Sequence, residues 1–169
     1  MRIGWIRTEK ARGNQIYGGS IYNEYARNVL AKHFDLETIP IQKDSNAIPS
    51  YLDTPKLFWA LLTKLKGHKD IWVRDYFSII TLPFDRTRGK NIALIHHIDS
   101  TSLPSSLKFI FSIFENIFYH NLKKVDAIVT ISSYWQNHFI KRGYKKVYKI
   151  YNPIDFDNYQ ITDIDVENF

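Results

Sequence analysis

The stretch "DAIVTISSYWQNHFIKRG", residues 126–143, passes from an apolar run directly into a helical pattern. Its first part, residues 126–132, is rich in β-branched residues and is typical of a buried strand. Ser133 with Gln136 three residues later predicts a capping box, and Gly143 predicts the end of the helix. A strand that leads at once into a helix is one half of a β-α-β unit.

The same alternation extends in both directions along the chain. Strands are predicted, in chain order, at residues 2–7, 34–41, 70–76, 91–97 and 126–132, and residues 146–155 predict a short sixth strand that ends in a turn. Helices are predicted from Ser20 through Leu30, at about residues 56–66 with Gly67 as the stop, at about 104–124, and from Ser133 to Gly143. Apolar strands that alternate with helices predict an α/β fold, a Rossmann-like three-layer domain with a mainly parallel sheet. In such sheets ligands bind beyond the carboxyl ends of the strands.

Composition places the chain among globular proteins of about one domain. It has 169 residues, of which 44% are apolar and 24% are charged. No apolar run reaches about 18 residues and no signal-peptide pattern opens the chain, which predicts a cytoplasmic protein. The sequence has no cysteine, which excludes disulfides and thiolate metal sites. The formal net charge of +6 favours anionic partners, although a solvated surface is the more usual explanation of such scattered basic residues.

The glycine pair Gly18 and Gly19 lies between the first strand and the first helix, for which Ser20 is the predicted N-cap. Such a pair serves either as a tight turn or as a place where the backbone approaches an anionic ligand at a helix N-terminus. Neither the dinucleotide-binding pattern G-x-G-x-x-G nor the phosphate-binding pattern G-x-x-x-x-G-K-[ST] is present. The two common nucleotide-binding loops are therefore excluded.

Polar side chains follow two further strands at the same predicted edge. His96 and His97 close the fourth strand, so one ring is expected on each side of the sheet, one packed in the core and the other available to a phosphate or a sugar hydroxyl. Asp99 either orients an imidazole or caps the next loop. Ser132 and Ser133 follow the fifth strand. No metal is expected, because the remaining histidines lack ligand spacing: His33, His68, His120 and His138.

Three segments in this order resemble the amino-terminal domain of the retaining glycosyltransferases of family four (group 1 type). They are "YGGSIYNEYARNVLAKHFDLETI" (17–39), "IALIHHID" (92–99) and "KKVDAIVTISSYWQNHFIKRGYKKVYKIYNPID" (123–155). The resemblance extends over essentially all 169 residues, and its third segment is the most specific. It implies one half of a GT-B fold, which pairs two Rossmann-like domains.

The resemblance also implies a reaction. A sugar would pass from a nucleotide-sugar donor to a glycan or lipid-linked acceptor, with retention at the anomeric carbon and with no metal or other cofactor. By the same resemblance, Gly18 and Gly19 lie near the donor diphosphate, and His97 or His96 contacts the donor sugar near the reacting centre. Asp99, Ser132 and Ser133 are expected to bind substrate at the same edge.

The implied domain organisation leaves two interpretations open. Residues 1–155 would form the amino-terminal, acceptor-side domain, and residues 156–169 would begin a linker toward a carboxyl-terminal domain that this chain does not include. The chain is then either a part of a glycosyltransferase that a carboxyl-terminal GT-B domain or a partner chain completes, or a non-catalytic binding or assembly subunit of a two-chain transferase.

The helix around "SLKFIFSIFENIFYHNLKKV" (106–125) is apolar over more than one face. Packing in the core explains much of this surface, and contact with a missing domain would explain the rest. Lysines near its ends favour a further interpretation, peripheral contact with the inner face of the cell membrane. No nucleic-acid partner is expected, because the sequence has no groove-reading helix and no strand that combines aromatic and basic residues.

Overall fold

The computed structural model describes residues 1–8, 18–41, 54–97 and 105–151, without the side chains of residues 18–20, 54 and 105–111. Its elements are, in chain order, β1 Arg2–Arg7, α1 Gly18–Ala31, β2 Asp35–Pro40, α2 Thr54–Lys64, β3 Lys66–Arg74, α3 Tyr76–Ile80, β4 Arg86–Ile95, α4 Ser105–Leu122, β5 Ala127–Thr130, α5 Ser133–Lys141 and β6 Val147–Lys149. Among the helices so described, none combines the length and the apolar character needed to cross a bilayer.

The six strands form one parallel sheet in the order β2-β1-β3-β4-β5-β6. Trp5 of β1 pairs with Val73 of β3, and Leu94 of β4 pairs with Val129 of β5. Helices flank the sheet, which confirms the predicted Rossmann-like three-layer fold. The chain first adds β2 on one side of β1 and then builds β3 to β6 on the other side.

The first face of the sheet, called here the α2–α5 face, is packed by α2, α3, α4 and α5. Trp72 points to α2, where it meets Leu61, and both side chains are fully buried. Ile95 and Ile128 belong to the second cluster on this face, together with Phe118 of α4. Burial of each large apolar side chain contributes about 1.5–3 kcal/mol to folding.

The opposite face, called here the α1 face, carries the third apolar cluster. Alternate strand residues, Trp5, Val73 and Leu94, point to this side and pack with Tyr22 of α1. In the part of the chain that the structure describes, α1 is the one helix that contributes to this cluster. The described helices therefore cover the two faces unequally.

The predicted end of the second helix at Gly67 is wrong. α2 ends at Lys64, and Gly67 is the second residue of β3, with a φ of +101°. The Leu65 N–H donates to the carbonyl of Leu61 at 3.1 Å, and Lys66 already pairs with Arg86 of β4. The chain thus passes directly from α2 into the sheet, and Gly67 is a residue of the strand.

The short helix α3 was not predicted. Asp75 and Tyr76 were assigned to the third strand, which ends at Arg74. Asp75 caps α3 instead, since its Oδ1 accepts from the Ser78 N–H at 2.9 Å while its own N–H donates to Ser78 Oγ at 2.9 Å. The apolar run that follows suits a strand or a helix equally, so these local hydrogen bonds decide between them.

The predicted end of α5 at Gly143 is confirmed. Its φ of +87° lies in the left-handed region that favours glycine. Its N–H donates to the carbonyl of Ile140 at 2.9 Å, and the Tyr144 N–H donates to that of Phe139 at 3.2 Å. These bonds satisfy carbonyls that the helix end leaves without an intrahelical partner.

A buried ion pair lies under α3 on the α2–α5 face. The Nη1 of Arg74 is 2.7 Å from Oδ2 of Asp85, and the two side chains are 0% and 2% exposed. Nη1 also donates to the Ser78 carbonyl at 3.1 Å, and Nε donates to Asn91 Oδ1 at 2.6 Å. Burial lowers the pKa of the Arg74 guanidinium, and the Asp85 carboxylate opposes that shift.

Arg74→Met is expected to lower the free energy of unfolding by about 3–5 kcal/mol, because it leaves the Asp85 carboxylate buried without its counter-charge. Urea denaturation of the full chain measures the change. The control Arg88→Met alters an exposed arginine and should change stability by less than about 0.5 kcal/mol. The double variant Arg74→Met with Asp85→Leu should be more stable than Arg74→Met alone. Equal stability of Arg74→Met and the wild type would contradict the role of the pair.

Candidate functional site

Polar side chains collect where the strands end, at what is called here the carboxyl edge of the sheet. Because all strands are parallel, the residues that follow β1, β3, β4, β5 and β6 emerge at this one edge. They fall into three groups, one after β1 and β3, one after β4, and one after β5 and β6.

The first group joins the end of β1 to the end of β3. Thr8 Oγ1 donates to Oδ2 of Asp75, whose other carboxylate oxygen caps α3. Neither residue was among the predicted site residues. Asp75 with Ser78 three residues later is a capping pattern in the sequence, and it is the signal that could have located this group.

The predicted glycine pair lies inside α1 and not in the loop before it. α1 begins at Gly18, so Gly18, Gly19 and Ser20 all belong to its first turn. The prediction of Ser20 as N-cap is therefore wrong by at least two residues. The first four N–H groups of a helix have no intrahelical acceptor, which puts both glycines among the residues whose N–H groups are open to another partner.

The second group is built around His96. Its Nε2 lies 2.9 Å from Oδ1 of the buried Asn23, and because an amide oxygen only accepts, Nε2 carries the hydrogen in this arrangement. The Tyr22 ring meets the imidazole edge to face, with 5.2 Å between ring centres. Burial raises the pKa of Tyr22, so its hydroxyl stays neutral near pH 7.

The two predicted histidines have different environments. His96 is half-buried against α1 on the α1 face, whereas His97 is exposed at the carboxyl edge. His96 is thus the packed, hydrogen-bonded ring, and His97 is the one that solvent or a ligand can reach. Asp99, the third residue predicted here, lies outside the described residues.

The two predicted serines have different structural roles. Ser132 is the N-cap of α5, since its Oγ accepts from the Trp135 N–H at 3.2 Å. Ser133 is the first helical residue. The predicted capping box of Ser133 with Gln136 is wrong, because the helix begins one residue earlier than that pattern requires and the Gln136 side chain donates to the Val147 carbonyl at 3.3 Å.

Ser133 belongs to the third group, which includes two residues that were not predicted. Lys149 Nζ lies 2.9 Å from Ser133 Oγ and 2.6 Å from the Tyr151 hydroxyl. Hydrogen bonds from Lys149 and Ser133, with the lysine charge, hold the pKa of Tyr151 below its ordinary value. Lys149 stands two residues after the buried Val147, on the same side of β6, and that period of two could have placed it beside α5.

Among the described groups, the carboxyl edge thus offers several hydrogen-bond donors, the positive charge of Lys149 and one carboxylate, that of Asp75, both of whose oxygens accept hydrogen bonds. Over the described residues, no three side chains of His, Cys, Asp or Glu come together as a metal site would require. The His96 group and the Ser133 group follow neighbouring strands, β4 and β5. Such an edge suits a ligand that carries hydroxyl groups and negative charge.

Comparison with protein-family models gives no match, and comparison with curated proteins gives no significant relative. The functional argument therefore depends on the residues and the geometry of the carboxyl edge.

Lys149→Met is expected to raise the pKa of Tyr151, because it removes both the donated hydrogen bond and the positive charge that stabilise the phenolate. NMR titration of the full chain with ¹³C-labelled tyrosine measures the shift, and Tyr151→Phe assigns the resonance. Lys146→Met removes an exposed lysine from the same region and should leave the pKa of Tyr151 unchanged. An unchanged pKa in Lys149→Met would show that the Lys149–Tyr151 bond does not persist in solution.

Proposed function

We propose that this chain is the acceptor-side part of a retaining glycosyltransferase, which moves a sugar from a nucleotide-sugar donor to a glycan or lipid-linked acceptor. The observation that supports this most is the arrangement of the histidine pair. His96 is fixed by Asn23, which lies on the helix that begins with the glycine pair, while the next residue, His97, is exposed at the carboxyl edge. The exposed imidazole of His97 would be the donor that a ligand at this edge can reach.

The chemistry of the transfer requires two kinds of group. The bond between the anomeric carbon and the diphosphate oxygen breaks, so negative charge grows on the diphosphate, and the acceptor hydroxyl loses its proton as the new bond forms. Preorganised N–H donors stabilise such charge most effectively in a site that excludes water. The first turn of α1 supplies N–H groups at Gly18 and Gly19, where no side chain hinders a close approach.

The acceptor would bind next to the third group. Lys149 brings positive charge, and the hydroxyls of Ser133 and Tyr151 bring donors and acceptors within 2.9 Å of its Nζ. A phosphate of a lipid-linked acceptor or the hydroxyls of a glycan both suit this set. The nucleotide would be held by a second domain or a partner chain, and the transfer would need that completing part.

His97→Ala is expected to lower the turnover of the completed enzyme about 100-fold or more, as loss of a positioned proton donor does. The same variant should change the free energy of unfolding by less than about 0.5 kcal/mol, because the side chain is exposed. Sugar transfer from labelled nucleotide sugars measures the turnover, and urea denaturation of the chain measures the free energy of unfolding. His120→Ala, also exposed, is the matched control.

The outcomes separate the two interpretations of the chain. Full turnover in both His96→Ala and His97→Ala would refute the assignment of the histidines. NMR titration of the full chain with glycans and with polyprenyl phosphate should shift resonances of Ser133, His97 and Tyr151. Such binding, with no transfer even when the completing part is present, would identify a non-catalytic binding subunit instead.

A membrane contact through α4 belongs to the same proposal, because a lipid-linked acceptor is presented at a bilayer. Phe118 and Leu122 of α4 are buried, so the core accounts for part of its apolar surface. Ile113 and Ile117 remain 46% and 36% exposed, one helical turn apart. Exposed lysines follow the helix at residues 123 and 124, which suits an anionic lipid surface.

Ile113→Glu with Ile117→Glu is expected to reduce co-sedimentation with phosphatidylglycerol-containing vesicles about tenfold or more, because two apolar side chains that would enter the interface become charged. High salt should weaken the binding of the wild type as well. Asn116→Glu adds the same kind of charge at an exposed position of α4 and should have a smaller effect. A wild-type chain that binds no vesicle of any composition would end this part of the proposal.

A further inference from the structure

The α1 face holds an apolar groove beside α1. Its volume is about 440 Å³, which lies within the range of about 300–1,000 Å³ typical of small-molecule sites. The floor includes Trp5, Leu94 and Val129, which point to this face from β1, β4 and β5. Tyr25 and Val29 of α1 form one wall. Of the described residues that line the groove, none is charged, so the groove suits an apolar ligand.

The groove is elongated and reaches the carboxyl edge. Tyr22 and Leu30 both line it, and at the rise of an α-helix their positions are about 12 Å apart. Tyr22 lies near the amino end of α1 and contacts His96, so this end of the groove adjoins the second group of the candidate site. A space of this shape suits a linear chain better than a compact ring system.

The wall of the groove is open to an incoming ligand. Tyr25 and Val29 are 48% and 37% exposed although both line the groove. Ile21, one turn before Tyr25, is 51% exposed and continues the same side of α1. Single exposed apolar residues are ordinary, but a stripe that borders an apolar groove is typical of a binding surface.

A positive charge flanks the groove at the carboxyl edge. Tyr151 lines the groove, and its hydroxyl lies 2.6 Å from Nζ of Lys149, so a single side chain joins the groove to the charge. Among the described residues, no carboxylate forms an ion pair with Lys149. Its ammonium group has three N–H donors, and Ser133 and Tyr151 accept two of them. The third donor and the charge remain for an anionic group of a ligand.

We propose that this groove binds the linear apolar chain of a lipid phosphate, whose phosphate binds Lys149 at the carboxyl edge. An uncharged lipid would leave the ammonium charge unused, and a free phosphate would leave the groove unused, whereas a lipid phosphate engages both. The inference rests on the proposed function, because it gives the lipid-linked acceptor a place for its chain. It also brings the phosphate to the edge at which the exposed His97 lies.

Titration of the full chain with farnesyl phosphate, below the concentration at which it forms micelles, tests the proposal. NMR signals of Val29, Leu94 and Val129 are expected to shift, and nuclear Overhauser effects should connect the farnesyl methyl groups to Leu94 and Val129. Signals of Leu61 and Phe139, which pack on the opposite face, should keep their positions. Farnesol, which lacks the phosphate, should bind more weakly by about tenfold or more, and inorganic phosphate should shift no signal of the groove floor.

Substitutions at Lys149 test the phosphate contact. Lys149→Met should lower the affinity for farnesyl phosphate to about that for farnesol, a loss of about tenfold or more, and should not change the affinity for farnesol. Lys149→Arg keeps the charge and should keep most of the affinity. Lys146→Met, which removes an exposed lysine from the same region, is the matched control and should bind like the wild type. Calorimetric titration measures each affinity.

Substitutions on α1 test the apolar groove. Val29→Glu places a charge in the groove wall and should lower the affinity for farnesyl phosphate and for farnesol about tenfold or more. Asn28→Glu adds the same charge at the exposed neighbouring position and should leave both affinities within about twofold of those of the wild type. Both positions are exposed, and circular dichroism shows whether each variant is folded.

Other results would overturn the proposal. Equal affinity for farnesol and farnesyl phosphate would do so, as would methyl contacts at Ile113 and Ile117 of α4 in place of the groove. A dimer that Val29→Glu dissociates and Asn28→Glu does not would mean that a second copy occupies the groove, which also overturns it.

The proposed function and this inference can fail separately. Absence of groove contacts would overturn the inference by itself, and sugar transfer by the completed enzyme would then leave the proposed function standing. Groove binding without transfer, when the completing part is present, would support the inference and refute the transfer activity.

Discussion

Parallel pairing of all six strands is the constraint on which the rest of this structure depends. Each strand must start at the same edge as its neighbours, so the chain has to return across a face of the sheet after every strand. The returning segments become the helices, and their side chains become half of the core. The same constraint brings every strand-to-helix junction to one edge, which is why residues as distant as Thr8 and Asp75, or Ser133 and Lys149, are hydrogen-bonded there.

The architecture could be predicted because the constraint leaves a strong pattern in the sequence. Strands buried on both faces are nearly continuous apolar runs, and the six predicted strands are all present. The errors lie where a local interaction outweighs that pattern. Gly67 looks like a helix stop, but pairing of Lys66 with Arg86 takes it into the sheet. The α3 sequence is apolar like a strand, but reciprocal hydrogen bonds between Asp75 and Ser78 turn it into a helix.

The candidate site could be predicted only in part, for a related reason. Residues that directly end an apolar strand, such as His96 and Ser133, are found from the strand alone. Tyr151 and Lys149 become part of the edge only because β6 lies beside β5, and that neighbourhood is a property of the sheet order. Which histidine is packed likewise depends on a partner 73 positions away in the chain, Asn23. No spacing in the sequence contains that information.

The Asp75 carboxylate connects the end of β1 to the first turn of α3. One oxygen accepts from Thr8, which directly follows β1, and the other accepts from the Ser78 N–H in the first turn of α3. Loss of the Thr8 hydroxyl would therefore remove one of the hydrogen bonds that hold this side chain in its capping position. α3 in turn covers Arg74, whose guanidinium bonds to the Ser78 carbonyl. Thr8 at the end of β1 and the charged Arg74 in the middle of the core are thus linked through one carboxylate and one short helix.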